Sequence, residues 1–159
     1  MALEMKELLS SIPQTGHVKW IGVRPARREN LIELPEVHAA ITGLTGDRFS
    51  GGEKAKRQVT LIQHEHLISM GSILKIDAID PSLVRRNIVV SGINLQSLKE
   101  HQFKIGDAIL YGTGNCPPCS RMEENLGPGG YCAMRGHGGI TAFVVQTGTI
   151  RLGDHVKLA

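Results

Sequence analysis

From His17 to Val23 the run HVKWIGV alternates apolar and polar side chains, the period of a half-buried β-strand. Pro25, with Arg27 and Arg28 behind it, ends that strand in a basic loop. Leu31–Leu34 predicts a second short strand, before a turn region bounded by Gly43 and Gly46. QVTLIQ, residues 58–63, is apolar and β-branched, and in the HEHLISMGSIL that follows Leu67, Met70 and Leu74 recur at helical spacing, so strand then helix is expected. A short helical turn after Asp80-Pro81 leads into NIVVSG, residues 87–92, which reads as a buried strand. KIGDAIL at 104–110 and RLGDHVKL at 151–158 are internal echoes, each predicting two short strands joined at a Gly-Asp corner. Ala2–Ser10 shows a weak amphipathic helical pattern.

Short strands outnumber helices, and glycine-bearing turns recur about every 8 to 12 residues. The expected fold is mainly β, a β-rich α+β chain forming an antiparallel barrel or sandwich with short peripheral helices. The scarcity of long helices argues against a doubly wound α/β sheet. At 159 residues a single domain spanning 1–159 is expected, its core about 18–159, with the helical segment 2–10 in front.

Composition narrows the class. Hydrophobic residues are 41% and charged residues 21%, which fits a soluble globular chain and neither a disordered nor a membrane-spanning one. A net charge of +3 is mildly basic, short of the clustered footprint of a nucleic-acid binder, and suits a small anionic partner better. Three cysteines are an odd number, and no basic stretch followed by an apolar run and a small-residue cleavage site opens the chain. A cytoplasmic protein with reduced thiols and no membrane attachment is expected. Nineteen glycines imply tight turns or close backbone approaches.

Candidate chemistry gathers in residues 111–139, which hold all three cysteines and a dense run of glycines. Three readings are open on the residues alone. Cys116, Cys119, Cys132 and His137 have the ligand content of a structural Cys3His zinc site. Cys116-Pro-Pro-Cys119 has the spacing of a dithiol redox pair ahead of the helix-like SRMEENL, although no thioredoxin-like βαβ setting is predicted around it. Third, Cys119 alone serves as a nucleophilic or metal-ligating thiolate, with Arg85, Arg86, Arg121 and Arg135 holding an anionic cofactor, because an arginine fork can make two hydrogen bonds to one oxyanion. His64 and His66 flank Glu65, but H-E-H is not the H-E-x-x-H of a zinc protease, so surface or capping roles are expected. Asp47 and Arg48 read as a turn with its ion pair, and Cys132 as a small hydrophobe.

Several motifs in order, GLTGDRFSGG (43–52), RQVTLIQHEHL (57–67), RRNIVVSGINL (85–95), IGDAIL, CPPCSRME, RGHGGITA and GTIRLGD, resemble a stand-alone, bacterial-type MOSC domain, the module named for the C-terminal domain of molybdenum cofactor sulfurases. The resemblance implies a strongly twisted β-barrel and one essential cysteine, matching Cys119. In relatives that bind the molybdenum cofactor (Mo-molybdopterin) that thiolate ligates the metal, and Arg85, Arg86 and Asn87 match the basic motif that would suit the pterin and phosphate. By resemblance the chain is therefore expected to be a molybdenum-dependent oxidoreductase that reduces N-hydroxylated compounds, or a sulfur carrier holding a persulfide on Cys119; the structural zinc module, which rests on the Cys and His content alone, comes third. No pyridoxal phosphate, flavin or iron–sulfur motif is present, so electrons would come from a donor protein, or sulfur from a desulfurase.

Overall fold

The computed structural model describes residues 2–49 and 51–159; Met1, and Ser50 of the GLTGDRFSGG run, lie outside the described residues. The chain runs α1 (Met5–Ser10), β1 (Gly16–Val23), β2 (Ile32–Glu33), β3 (Glu36–Ala40), β4 (Gly43–Leu44), β5 (Val59–Gln63), α2 (His64–Ile73), β6 (Ile88–Ser91) and β7 (Gln102–Ile105). It continues through β8 (Ala108–Asn115), α3 (Arg121–Leu126), α4 (Gly130–Met134), β9 (Ile140–Gln146), β10 (Gly148–Arg151) and β11 (His155–Leu158).

Seven strands, in the order β11-β7-β8-β9-β5-β6-β1, close into a barrel where β1 meets β11, with Gly16 opposite Val156 and His17 opposite His155. Closure removes the exposed strand edges that an open sheet would leave. The pairing is antiparallel except for β5–β6, which run parallel. A parallel pair needs a long crossover, and α2 with the 3₁₀ turn Pro81–Leu83 supplies it.

Alternation decides what lies inside. In β7 Phe103 and Ile105 point inward while Gln102 and Lys104 are exposed. With Val18, Ile21, Leu61, Ile88, Leu110, Ile140 and Val156 they form the barrel core. A second apolar cluster lies outside the barrel wall, where Ile62 of β5 and Val89 of β6 meet Leu67 and Met70 of α2, with Met122 and Met134. These two strands are covered on both faces, which is why their sequences read as near-continuous apolar runs.

The two Gly-Asp corners diverge. At Gly106-Asp107 the chain makes a β7–β8 hairpin, whereas at Gly153-Asp154 it leaves a small sheet of order β10-β3-β4 and enters the barrel as β11. The same corner chemistry turns the chain in both places, but the partners of the strands come from elsewhere in the sequence. Strand β3 pairs through four residues with β10, more than 100 positions away.

Candidate functional site

Three strand ends converge on one cavity of about 540 Å³. Arg24 follows β1, Arg57 precedes β5, and Arg85 to Asn87 lead into β6. The GDRF turn adds Asp47, Arg48 and Phe49, and the loop after β8 adds Cys119 and Arg121. Six arginines and a single carboxylate therefore face one space within the size range of small-molecule sites.

None of the six arginines forms an ion pair, because both salt bridges among the described residues use Arg151. The Arg24 Nε is buried without a hydrogen-bond partner. Burial, with Arg121 alongside, pushes the Arg85 guanidinium below its ordinary pKa, an effect that Cys119 opposes. Arg85 also sits at φ 58°, the left-handed region that a non-glycine residue adopts at a cost of about 1–3 kcal/mol. Uncompensated cations in a partly desolvated space favour an anionic ligand.

Two of the residues expected to touch a cofactor are occupied with the protein itself. Arg86, 5% exposed, donates from Nε to the Gly138 carbonyl at 2.8 Å, from Nη1 to Val84 at 3.0 Å, and from Nη2 to Cys116 at 2.9 Å and Pro117 at 3.2 Å. Its buried charge has no carboxylate partner, and desolvation lowers its pKa. Asn87 Oδ1 accepts from the backbone N–H and the hydroxyl of Thr60, both at 3.1 Å, and its amide donates to the Gly22 carbonyl at 3.1 Å and Asp47 Oδ1 at 3.4 Å. These are positioning residues, which leaves Arg85 and Arg121 as the expected cofactor-binding arginines that line this cavity with free forks.

Asp47 is more than a turn with an ion pair. Its Oδ1 accepts the Arg24 backbone N–H at 2.9 Å, tying the GDRF turn to the end of β1, and burial raises its pKa despite hydrogen bonds from Phe49 and Asn87. It forms no ion pair with Arg48.

The thiols are dispersed. Cys119 is exposed and lines the arginine cavity, Cys116 is buried with Arg57 Nη2 at 3.7 Å from its sulfur, and Cys132 is exposed on α4. All three are free. No cluster of three or more His, Cys, Asp or Glu that could hold a metal occurs among the described residues, so the four expected zinc ligands are not assembled. Of the two in the Cys116–Cys119 loop, one is buried and the other is exposed at the cavity. His137 instead bonds Ala133 through Nδ1 and packs edge-on against His66.

Arg135 does not join the others. It lines a second cleft with Cys116, Pro117 and Tyr131, and Cys119 is not part of that lining. Conversely, Arg24 and Arg57, which are not among the candidates named from the sequence, line the cavity, as does Arg48, expected there only as the ion-pair partner of Asp47. The signal that marks Arg85 and Arg86, arginine directly abutting an apolar strand, applies equally to Arg57 before β5 and Arg24 after β1.

Comparison with known proteins returns the same architecture. The family model described as MOSC domain matches residues 42–157. The YUAD protein from Bacillus subtilis superposes with a TM-score of 0.78 at 19% identity, over 91% of this chain and 96% of that one. YiiM from Geobacillus stearothermophilus gives 0.74 at 17% identity, over 91% and 75% of the two chains, and YiiM from Escherichia coli gives 0.66 at 16%, over 90% and 69%. No curated protein sequence matches significantly. No helix among the described residues is long and apolar enough to cross a membrane.

Proposed function

Because the chain belongs to the MOSC domain family, we propose that the arginine cavity holds the molybdenum cofactor, with Cys119 as the thiolate ligand of its metal. The observation that carries this reading is that Cys119 is the one cysteine lining a cavity whose six arginines have no anionic partner. The residues fit the group: a soft sulfur ligand lies beside cations suited to a phosphate, and the orphaned Arg24 Nε provides one further unused donor.

When bound, this cofactor supplies two-electron oxygen-atom transfer, with N-hydroxylated compounds as the substrate class. The chain's own residues bind and orient. Arg85 and Arg121 hold the anionic end, while Arg86 fixes the Cys116–Cys119 loop through backbone carbonyls. Asn87 locks β5, β1 and the GDRF turn into one wall. Electrons arrive from a separate donor protein, and the three free thiols suit a reducing cytoplasm.

The test is elemental analysis of protein produced in a host that makes the cofactor. Near-stoichiometric molybdenum that disappears in a folded Cys119→Ser variant is expected; molybdenum retained in that variant overturns the assignment. The exposure of Cys119 favours a second reading, a sulfur carrier, since a donor protein can reach the thiol. A mass gain of one sulfur atom on Cys119, without molybdenum, selects it.

A further inference from the structure

The cleft that holds Arg135 has no part in the function proposed above. It measures about 240 Å³, is lined in part by Cys116, Pro117 and Pro118, and shares no lining residue with the arginine cavity. Tyr131 and Arg135 are four residues apart at α4, a spacing that places both side chains on one side of a helix. The rings of Pro117 and Pro118 line the same cleft, together with Gln96, Asn115 and Cys116. No aspartate or glutamate lines the cleft among the described residues. The Arg135 guanidinium takes part in neither salt bridge of the described residues, and Tyr131, 39% exposed, is the one aromatic ring at the site.

Each feature limits the ligand. The volume is below the usual 300–1,000 Å³ of drug-sized sites, enough for about one ring with a short substituent. Tyrosine and proline offer flat apolar faces, against which a planar group packs better than a branched one. Gly136 carries no Cβ and has open space around it, so the backbone leaves room beside Arg135. An unpaired guanidinium lining such a cleft matches a carboxylate in the plane of the ring, because the arginine fork and a carboxylate form two parallel hydrogen bonds.

We infer that this cleft is a binding site for small planar carboxylic acids, the carboxylate on Arg135 and the ring between Tyr131 and the two prolines. The site stands independently of what the arginine cavity holds.

Benzoate is the probe, with benzamide as its uncharged counterpart, titrated into the isotope-labelled full chain and followed by amide chemical shifts. Saturable shifts centred on Tyr131, Arg135 and Gly136 are expected, with benzamide about tenfold weaker, the loss typical of a charge-assisted hydrogen bond. Arg135→Gln should weaken benzoate by the same factor and leave benzamide unchanged, and Tyr131→Ala should weaken both. Arg135 and Tyr131 are exposed, so the remaining spectrum should report an intact fold in each variant. No saturable shift, equal binding of the two probes, shifts centred on Arg57 and Arg85 instead, or benzoate binding untouched by Arg135→Gln each overturns the inference. None of these outcomes bears on molybdenum at Cys119, so the two proposals fail separately.

Discussion

The Nη2 of Arg86 donates to the carbonyl of Cys116 at 2.9 Å, so a buried cation without a carboxylate partner is held by the backbone of the loop that carries Cys119. A buried charge is tolerated only when its hydrogen bonds are met. Here carbonyls from three segments meet them, and the guanidinium in turn fixes those segments beside one another.

Removing that clamp should be costly. Arg86→Gln leaves buried carbonyls without donors, and a loss of about 3 kcal/mol in unfolding free energy is expected from chemical denaturation. Gly138→Ala should act on the same contact, since a Cβ there would collide with the Cys116 carbonyl; overpacking of this kind costs about 1–3 kcal/mol. If both variants unfold like the parent chain, the clamp does not support the loop.

Thiol accessibility follows from the same arrangement. Cys119 and Cys132 are exposed while Cys116 is 1% exposed. Iodoacetamide should alkylate the first two in the native protein and reach Cys116 only after denaturation, as read by peptide mass spectrometry. Early modification of Cys116 would mean that its loop opens in solution.

The uncompensated arginines predict anion-linked stability. A ligand that binds only the native state, present at about a hundred times its Kd, adds about 2.7 kcal/mol, and for a chain of this size each 1 kcal/mol moves Tm by about 2–4 °C. Inorganic phosphate should therefore raise Tm by several degrees in the parent chain and by less in Arg85→Gln or Arg121→Gln. An equal rise in all three would place the anion elsewhere.

A pH dependence follows from His66. Burial first, and then the facing His137, lower its pKa below 6.5, with Glu65 opposing. A depressed folded pKa means that the unfolded chain binds the proton more readily, so this contribution is present above 6.5 and is lost as pH falls through the folded value. His66→Gln removes it. The drop in Tm between about pH 7.5 and about pH 5.5 should be smaller in that variant than in the parent chain; an unchanged drop would assign the acid sensitivity to other groups.

Much of the barrel was legible along the chain. The alternation in HVKWIGV, the apolar runs QVTLIQ and NIVVSG and the Gly-Asp corners located β1, β5, β6 and the β7–β8 hairpin, because a strand's period and its turn residues are local properties. Cys119, Arg85 and Arg121 were likewise marked by position, beside a strand end or a Pro-Cys motif. Closure of β1 on β11 and the pairing of β3 with β10 were not marked, since strand partners are chosen by contacts between distant segments. The same limit separated Arg135 from Arg24. Arg135 lies close to Cys119 in sequence yet lines another cleft, whereas Arg24 lies 95 positions from it and shares its cavity. By itself the sequence determined which side chains could do chemistry and which segments would be strands. Only the tertiary structure decided which of them share a space, and whether an arginine is free to bind a ligand or, like Arg86, has its hydrogen bonds committed to backbone carbonyls.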